Sequence, residues 1–591
     1  MKKIIIASII SVFCMLGLSS CIDETFPTEY AIDSQIQSSP TALKSMVNAI
    51  PTNMIGWKNA SLELCGYTGL CTAFEEMTQD VVIAGTTGYN TLGTYSAMSN
   101  PVHNRQNYAW YMHYGFIRNC NSVISMIDKN TNDKTQQYYL GIAHTFRALY
   151  YLNLVRMFEY KYTPLCEPEN NDIYGLGVPI VTEETTEEQA KNNPRVKVED
   201  NYEMIFSDLA KAEKYFGNDY VPESKAFPSL ACVYGLYARA YLERGTAGVS
   251  GAFEKAAEYA RKAITESGCT PLTQEQWEDP VNGFNNANSQ NAWMWGIIIA
   301  PDNVASMVIG DYGSFYGLMM TEQTWTVYGW RVGRSISRRL YEAIPDNDFR
   351  KYSWLDPAFY GYKDKNGNDV PPSDSYKGHP YKLAMPAERI RNNVTVANGF
   401  NGYPWIYNPI KFRPSNGNWS TSSEGAAMDY PLMRVEEMYL IEAEAAARSK
   451  GLASGIALLN DFMKYRILDG SYDCMAKCTD VDKLVDEIIL QKRVELWGEG
   501  LLWFDNKRLE LGLHRGYKGI NASVYSVTFD MDGIVPIWNC RIPEAERQGN
   551  PAMILNPTPL NANTLNIYWT RDNNYLKQYY GCDLNNPDGN Q

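Results

Sequence analysis

Histidine is scarce in this chain of 591 residues: His103, His113, His144, His379 and His514 are all there are. They are scattered and never fall in a His-Glu-x-x-His spacing, which removes the commonest metal-hydrolase arrangement. There is no Gly-x-Ser-x-Gly nucleophile turn. Nor is there a phosphate-cradling loop, because Gly175-Leu-Gly177 lacks a third glycine and a helix to follow it. Basic charge is short as well. Against 67 Asp and Glu stand 53 Lys and Arg, a net charge of −14, so no surplus of cations exists to neutralise phosphates and nucleic acid is excluded as a partner. Beyond the N-terminus no segment approaches the roughly 18 consecutive apolar residues of a membrane-spanning helix.

Cysteine is modest and uninformative. Setting aside Cys14 and Cys21, the close pairs are Cys65 with Cys71 and Cys474 with Cys478. Neither has a His or a second Cys pair at zinc spacing, so no metal site is expected, and no cofactor. A local disulfide and two buried free thiols both remain open for each pair.

What is present begins at the N-terminus. Met1-Lys2-Lys3 is a short basic start, and the apolar run from Ile4 to Leu18 is too short to span a bilayer. It reads as the hydrophobic part of a signal peptide, residues 1–20. Leu18-Ser19-Ser20-Cys21 has the form of a bacterial lipobox, with small residues before a cysteine that is diacylated and becomes the new N-terminus. Several acyl chains on one residue give stable anchoring where one is marginal. The chain also carries 42 Tyr and 14 Trp, rigid amphipathic residues that suit a binding surface as well as a helical core.

Two blocks show helical periodicity. In the first, helices are predicted over Tyr108 to Lys129, Leu140 to Phe158, Asn201 to Phe216, Pro228 to Arg244 and Phe253 to Ser267. Paired helices of this length are similar to tetratricopeptide repeats, whose period is about 34 residues, without meeting their consensus. From Cys269 to Ala427 Gly, Pro, Asn and Ser punctuate short aromatic stretches, with one short helix predicted from Ser337 to Ala343. The second block is predicted to hold helices over Met433 to Ser449, Ala453 to Arg466, Val481 to Trp497 and Leu502 to Leu511. Beyond Gly512 the tail reads as loops and short extended pieces.

Several segments, in order, resemble the SusD/RagB family of outer-membrane nutrient-binding lipoproteins. They are Gly141-Ile-Ala-His-Thr-Phe-Arg147-Ala-Leu-Tyr-Tyr-Leu152; Gly177-Val-Pro179-Ile-Val181 with Pro194-Arg195-Val-Lys-Val198 and Tyr202, Ile205, Asp208 and Leu209; Pro431-Leu-Met-Arg434 through Glu442-Ala-Glu444-Ala; Lys492-Arg493-Val-Glu495-Leu-Trp-Gly-Glu499-Gly500 with Asp505 and Arg508; and Asn550-Pro551 with Asn556-Pro557. Ile22-Asp23-Glu24 after the lipobox resembles the signal that sends lipoproteins of Bacteroides-like bacteria to the cell surface. Two departures stand out. Tyr160-Lys-Tyr-Thr-Pro164 lacks the family's usual glycine, and Tyr312 to Trp330 and Tyr360 to Ala427 fit no family pattern.

The resemblance implies a mainly α, tetratricopeptide-like scaffold with a loop-rich, aromatic ligand-binding face. Its expected parts are an N-terminal helical region over 21–268 and a C-terminal region over 269–591, packed as one unit. The C-terminal region divides into a loop-rich part (269–430), a helical part (431–511) and a tail (512–591). The implied role is non-catalytic capture of a nutrient glycan at the outer-membrane surface for a SusC-like TonB-dependent transporter, with Cys21 as the lipid attachment. A non-glycan nutrient such as a peptide is the alternative, and a glycoside hydrolase a more distant one.

The residues bear on that choice. Arg493, Glu495, Glu499 and Asp505, together with Glu75-Glu76 and Glu436-Glu437, are the acid–base candidates. Glycosidases need two carboxylates facing across a sugar cleft. Neighbours in sequence point apart on a helix, and the Arg–carboxylate cluster reads better as pairing at a helix junction. No catalytic residue is therefore assigned. His144, within a patterned helix, is expected to be packed or capping. Sugar recognition needs exposed rings to stack on C–H faces, with polar groups for the hydroxyls. Two runs have that mixture: Gly85 to Tyr95, carrying Tyr89, Asn90 and Tyr95, and Trp325 to Arg331, carrying Trp325, Tyr328 and Trp330. These six are the expected ligand contacts, with Trp277, Trp293 and Trp405 in reserve.

Overall fold

A computed structural model describes residues 39–56, 66–83, 104–307, 319–325, 333–393, 406–522 and 530–557, apart from a few single positions. The chain runs α1 (Pro40–Gly56), α2 (Gly66–Glu76), β1 (Val81–Ile83), α3 (Asn104–Met126), α4 (Lys134–Phe158), α5 (Val198–Phe216), α6 (Leu230–Thr246) and α7 (Ala252–Ser267). The loop-rich part holds β2 (Trp293–Ile297), α8 (Pro301–Met307), β3 (Arg334–Ile336), α9 (Arg338–Ala343), β4 (Trp354–Leu355), β5 (Asn408–Pro409) and α10 (Ser422–Gly425). Then come β6 (Tyr430–Arg434), α11 (Val435–Lys450), α12 (Leu452–Met463), α13 (Val481–Glu495), α14 (Leu502–Arg508) and α15 (Glu544–Gly549). The mainly α, helical-pair architecture read from the sequence is the one found.

The longest helix explains both the success and the error of the periodicity reading. Asp133 caps α4 by accepting from the Thr135 and Gln136 amides, which satisfies orphan donors of the first turn. Every residue from Leu140 to Phe158 is buried, as befits a helix enclosed on all sides. Its first turns are polar and face solvent, so apolar periodicity begins six residues late, at Leu140. Helix α4 packs between α3 and α5, α6 against α7, and α7 against α11. The last contact is close because both faces are small: Ala256, Ala257, Ala260 and Ala263 on one helix, Ala443, Ala446 and Ala447 on the other.

Several helix ends shift by a few residues, and three of the differences have tertiary reasons. Met433 and Arg434, predicted as the first turn of a helix, are strand: β6 pairs antiparallel with β2, Tyr430 opposite Ile297 and Arg434 opposite Trp293. Helix α13 stops at Glu495, ahead of Gly498 and Gly500, whose φ angles are 80° and 74°. Helix α14 stops at Arg508, short of Gly512. Helices α1 and α2 were not predicted, although Leu43, Val47, Ile50 and Met54 bury one face of α1.

One apolar core runs from Leu43 to Met553 and draws on helices and loop-rich part alike. A satellite core between α11, α12 and α13 includes Cys474 and Cys478. Both are buried free thiols, as is Cys71; Cys65 lies outside the described residues.

Candidate functional site

Two strands of three residues organise the loop-rich side. β1, with the sequence Val-Val-Ile, pairs antiparallel with β3: Val81 faces Ile336, Val82 faces Ser335 and Ile83 faces Arg334. Arg334 is buried and held by Glu76, its Nε and Nη2 at 2.7 and 2.6 Å from Oε1. On the free side of β3 the Ile336 amide donates to the Tyr407 carbonyl at 3.3 Å. The Asn521 side-chain amide donates to the Ile336 carbonyl at 2.9 Å, and its oxygen accepts from the Arg338 amide at 2.8 Å. Val82, Ile520 and Ala522 close a small apolar cluster beneath.

Each of these residues stands at or near an end of a described stretch. Ile83 precedes residues 84–103, Arg334 follows 326–332, Tyr407 follows 394–405 and Asn521 precedes 523–529. The chain that leads into Tyr89, Asn90 and Tyr95 therefore departs from the ladder at which the chain through Tyr328 and Trp330 returns. Those five residues lie outside the described residues, as do Trp405 and Cys21.

Trp325 is described, and it corrects the expectation of an exposed ring. It is half-buried, wedged over α10: a Cβ on Gly425 would come within 2.6 Å of the indole. Its Nε1 is enclosed, with no hydrogen-bond partner among the described residues. The segment carrying it is fixed by Glu322, a buried carboxylate that accepts from the Ala384 and Met385 amides at 2.6 and 3.2 Å and faces Arg413 at 3.3 Å. Burial pushes the Glu322 carboxyl up, and Arg413 opposes that rise.

Beside Trp325 sits a residue that sequence reasoning missed. The Thr324 amide and hydroxyl both donate to the Trp419 carbonyl, at 3.0 and 3.3 Å. Trp419 is half-buried, and the exposed Arg389 guanidinium lies 5.9 Å from its ring centre. Next to it, Asn418 donates to Glu424 and accepts from the Ser420 and Thr421 amides. Rings, a guanidinium, an amide and a carboxylate thus share one patch. The signal was available: Asn416-Gly-Asn-Trp419-Ser-Thr-Ser-Ser has the same polar-plus-aromatic composition as the two runs that were chosen. Trp277 and Trp293 are corrected in the other direction. They are core residues, 2% and 0% exposed, and Trp277 spends its Nε1–H on Ser353 Oγ at 2.7 Å.

The acid–base candidates are cross-links. Glu495 is buried among Arg466, Arg350 and Arg434, at 2.7, 3.0 and 3.2 Å, and these guanidiniums hold its carboxyl well below the usual range. Glu499 takes Lys411 at 2.7 Å and Arg434 at 2.9 Å; burial brings the Lys411 ammonium down to about 8. Arg493 pairs with Asp80. Arg508 bridges Glu444 and Asp505 at 2.6 and 2.7 Å. The adjacent glutamates do point apart: Glu75 accepts from the Gly500 amide while Glu76 holds Arg334, and Glu436 meets Arg434 while Glu437 meets Arg239. His144 is packed and bonded to Asp208 at 2.7 Å. Arg334, Arg350 and Lys411 tie the loop-rich part to the rest of the chain, the other pairs join segments outside it, and each carboxylate has a cation or an amide against it. Among the described residues no three His, Cys, Asp or Glu side chains are grouped to hold a metal, and no helix is long and apolar enough to cross a membrane.

Comparison with known proteins gives one consistent result. Residues 34–242 match a SusD-like family described as starch-binding and associating with the outer membrane, and residues 277–578 match the SusD family. The SusD-like protein P2 of Formosa agariphila is 25% identical over 414 residues, 68% of this chain and 71% of that protein. A SusD-like carbohydrate-binding protein from Bacteroides vulgatus superposes with a TM-score of 0.66 at 21% identity, over 87% of this chain and 97% of its own. Surface glycan-binding protein A from Bacteroides uniformis gives a TM-score of 0.58 at 16% identity, over 88% and 99%. At these identities the superpositions establish the fold.

Proposed function

This chain belongs to the SusD family, and we propose on that footing that it binds a glycan at the outer-membrane surface without transforming it and passes it to a SusC-like TonB-dependent transporter. The observation that carries the reading is the pairing of Ile83 with Arg334. It brings the described ends of the stretches that carry the Tyr89–Tyr95 and Tyr328–Trp330 runs onto one ladder, which supports a shared face for those rings. Trp419, Trp325 and Arg389 add a described ring pair and a cation on neighbouring elements. Loops raised on a rigid scaffold are the usual carriers of binding residues.

The names of the carbohydrate- and glycan-binding structures that share this fold support the ligand class. The carboxylates singled out as acid–base candidates are each held by a cation or, for Glu75, by a backbone amide, which supports binding without turnover. The lipobox supports attachment through Cys21. A lipid anchor holds the protein in the plane of the membrane and raises its effective concentration at a transporter mouth.

The test is retention of the protein in gels that contain individual polysaccharides, followed by the chain length of the recovered glycan. Retention with unchanged chain length supports the proposal. A bound peptide library with no polysaccharide retained would replace the ligand class, and shortened glycan would replace the mechanism.

A further inference from the structure

Away from this face, a cavity of about 220 Å³ opens between the turn at Asn171–Ile173, helix α15 and the extended segment 553–557. It is smaller than the roughly 300–1,000 Å³ of pockets for drug-sized ligands, so it suits a single ring or a chain end. Ile173, Met553 and Leu555 give it apolar walls, while Arg541, Glu544 and Arg547 supply its charge. Tyr174, which follows Ile173, is 40% exposed and meets Tyr160 edge-on at 5.5 Å.

The electrostatics behind the wall are unusual. Arg195 is 5% exposed and makes no ion pair among the described residues. Its guanidinium donates to five neutral oxygens: the carbonyls of Gly177, Ile554, Phe158 and Leu176 and the side chain of Asn556. Burial pushes it down to about 10, which still leaves it charged at neutral pH. Two of its acceptors, Ile554 and Asn556, line the cavity, so a cation that feels Glu159 only at a distance and has no carboxylate in contact among the described residues lies behind the surface a ligand would touch. In front, the one carboxylate among the described residues that pairs with the half-exposed Arg547 is shared, since Glu544 also lies 3.6 Å from Arg541. A buried charge is costly unless paired, and guanidiniums bind carboxylates through paired N–H donors.

We propose that this cavity is a second ligand site, one that takes a small organic carboxylate the size of one sugar ring. The apolar walls hold the carbon frame, and Arg547 with the field of Arg195 holds the carboxylate. The site shares no residue with the Trp325–Trp419 patch and stands independently of the glycan reading. Calorimetric titration of the protein with glucuronate at neutral pH and low salt tests it. Saturable binding is expected, weakened about tenfold or more by Arg547→Ala, the scale of one charged hydrogen-bonding partner. Glu544→Gln removes the carboxylate paired with Arg547 and is expected to tighten binding, whereas Trp419→Ala leaves it unchanged. Absence of saturable binding, equal binding of glucose or of inorganic phosphate, or undiminished affinity in Arg547→Ala overturns the proposal.

Discussion

The backbone amide of Thr324 donates to the carbonyl of Trp419 at 3.0 Å, locking together two loop segments 95 residues apart, each with a half-buried tryptophan. The bond fixes the two backbones relative to one another where no strand pairing joins them. Glu322 secures the first segment from behind. A patch built in this way behaves as a preorganised surface, and that makes its contribution measurable.

Trp419→Ala is expected to weaken glycan binding by about 1–3 kcal/mol, by analogy with bases stacked on aromatic side chains. Thermal stability should change little, because the ring is only half-buried. Gly425→Ala is expected to weaken binding as well, since the added Cβ meets both the Trp325 ring and the Asn418 carbonyl, at 2.6 and 1.9 Å. Affinity electrophoresis alongside thermal denaturation separates the two effects.

Glu495→Gln is expected to destabilise the fold by about 3–5 kcal/mol, the cost of removing one partner from a buried ionic cluster. Three guanidiniums would lose their shared anion. Chemical denaturation measures this directly. The folded fraction should bind glycan as well as the wild type, because Glu495 touches no part of the proposed face.

Glu75 gives a pH signature. Burial pushes its carboxyl up to about 8, so the native state keeps its proton at neutral pH while the unfolded chain loses it near the ordinary value. Stability from this group is fully present below the unfolded value and is lost as pH rises through the folded one. The slope between is about 1.4 kcal/mol per pH unit. Glu75→Gln cannot titrate, so its stability relative to wild type should rise at about that slope, by about 2.5 kcal/mol in all, between pH 5 and pH 7. Denaturation curves at both pH values that show a constant difference would contradict this.

Cys21→Ala is expected to leave glycan affinity unchanged and to release the protein from the membrane fraction. Fractionation with a binding assay on the released protein checks both halves. Co-purification of a β-barrel partner with the wild type from detergent-solubilised membranes tests the transporter pairing.

The sequence made the helical blocks legible because α5, α7 and α12 bury one face and keep 3.6-residue periodicity. It was least legible where tertiary structure decides. Met433 and Arg434 are strand because β2 lies alongside. The start of α4 carries no apolar pattern because its first turns are polar and lie toward solvent. In the loop-rich part, aromatic residues say nothing by themselves about burial: Trp277 and Trp293 fill the core, whereas Trp419 reaches the surface. Arg493, Glu495 and Glu499 were read correctly as structural because alternating charges near a helix end favour pairing over open chemistry. The convergence of four chain segments on β1 and β3 has no sequence signal, since it depends on long-range pairing of two three-residue strands.

The claim of a non-catalytic glycan face is tested most directly by one comparison. The wild type and a Tyr89→Ala/Trp330→Ala/Trp419→Ala variant are run through gels containing a panel of polysaccharides, and each glycan is recovered and sized. The expected result is retardation of the wild type by at least one polysaccharide of unaltered length, and loss of that retardation in a variant that melts like the wild type. A folded wild type retarded by none, or a triple variant retarded equally, would contradict it.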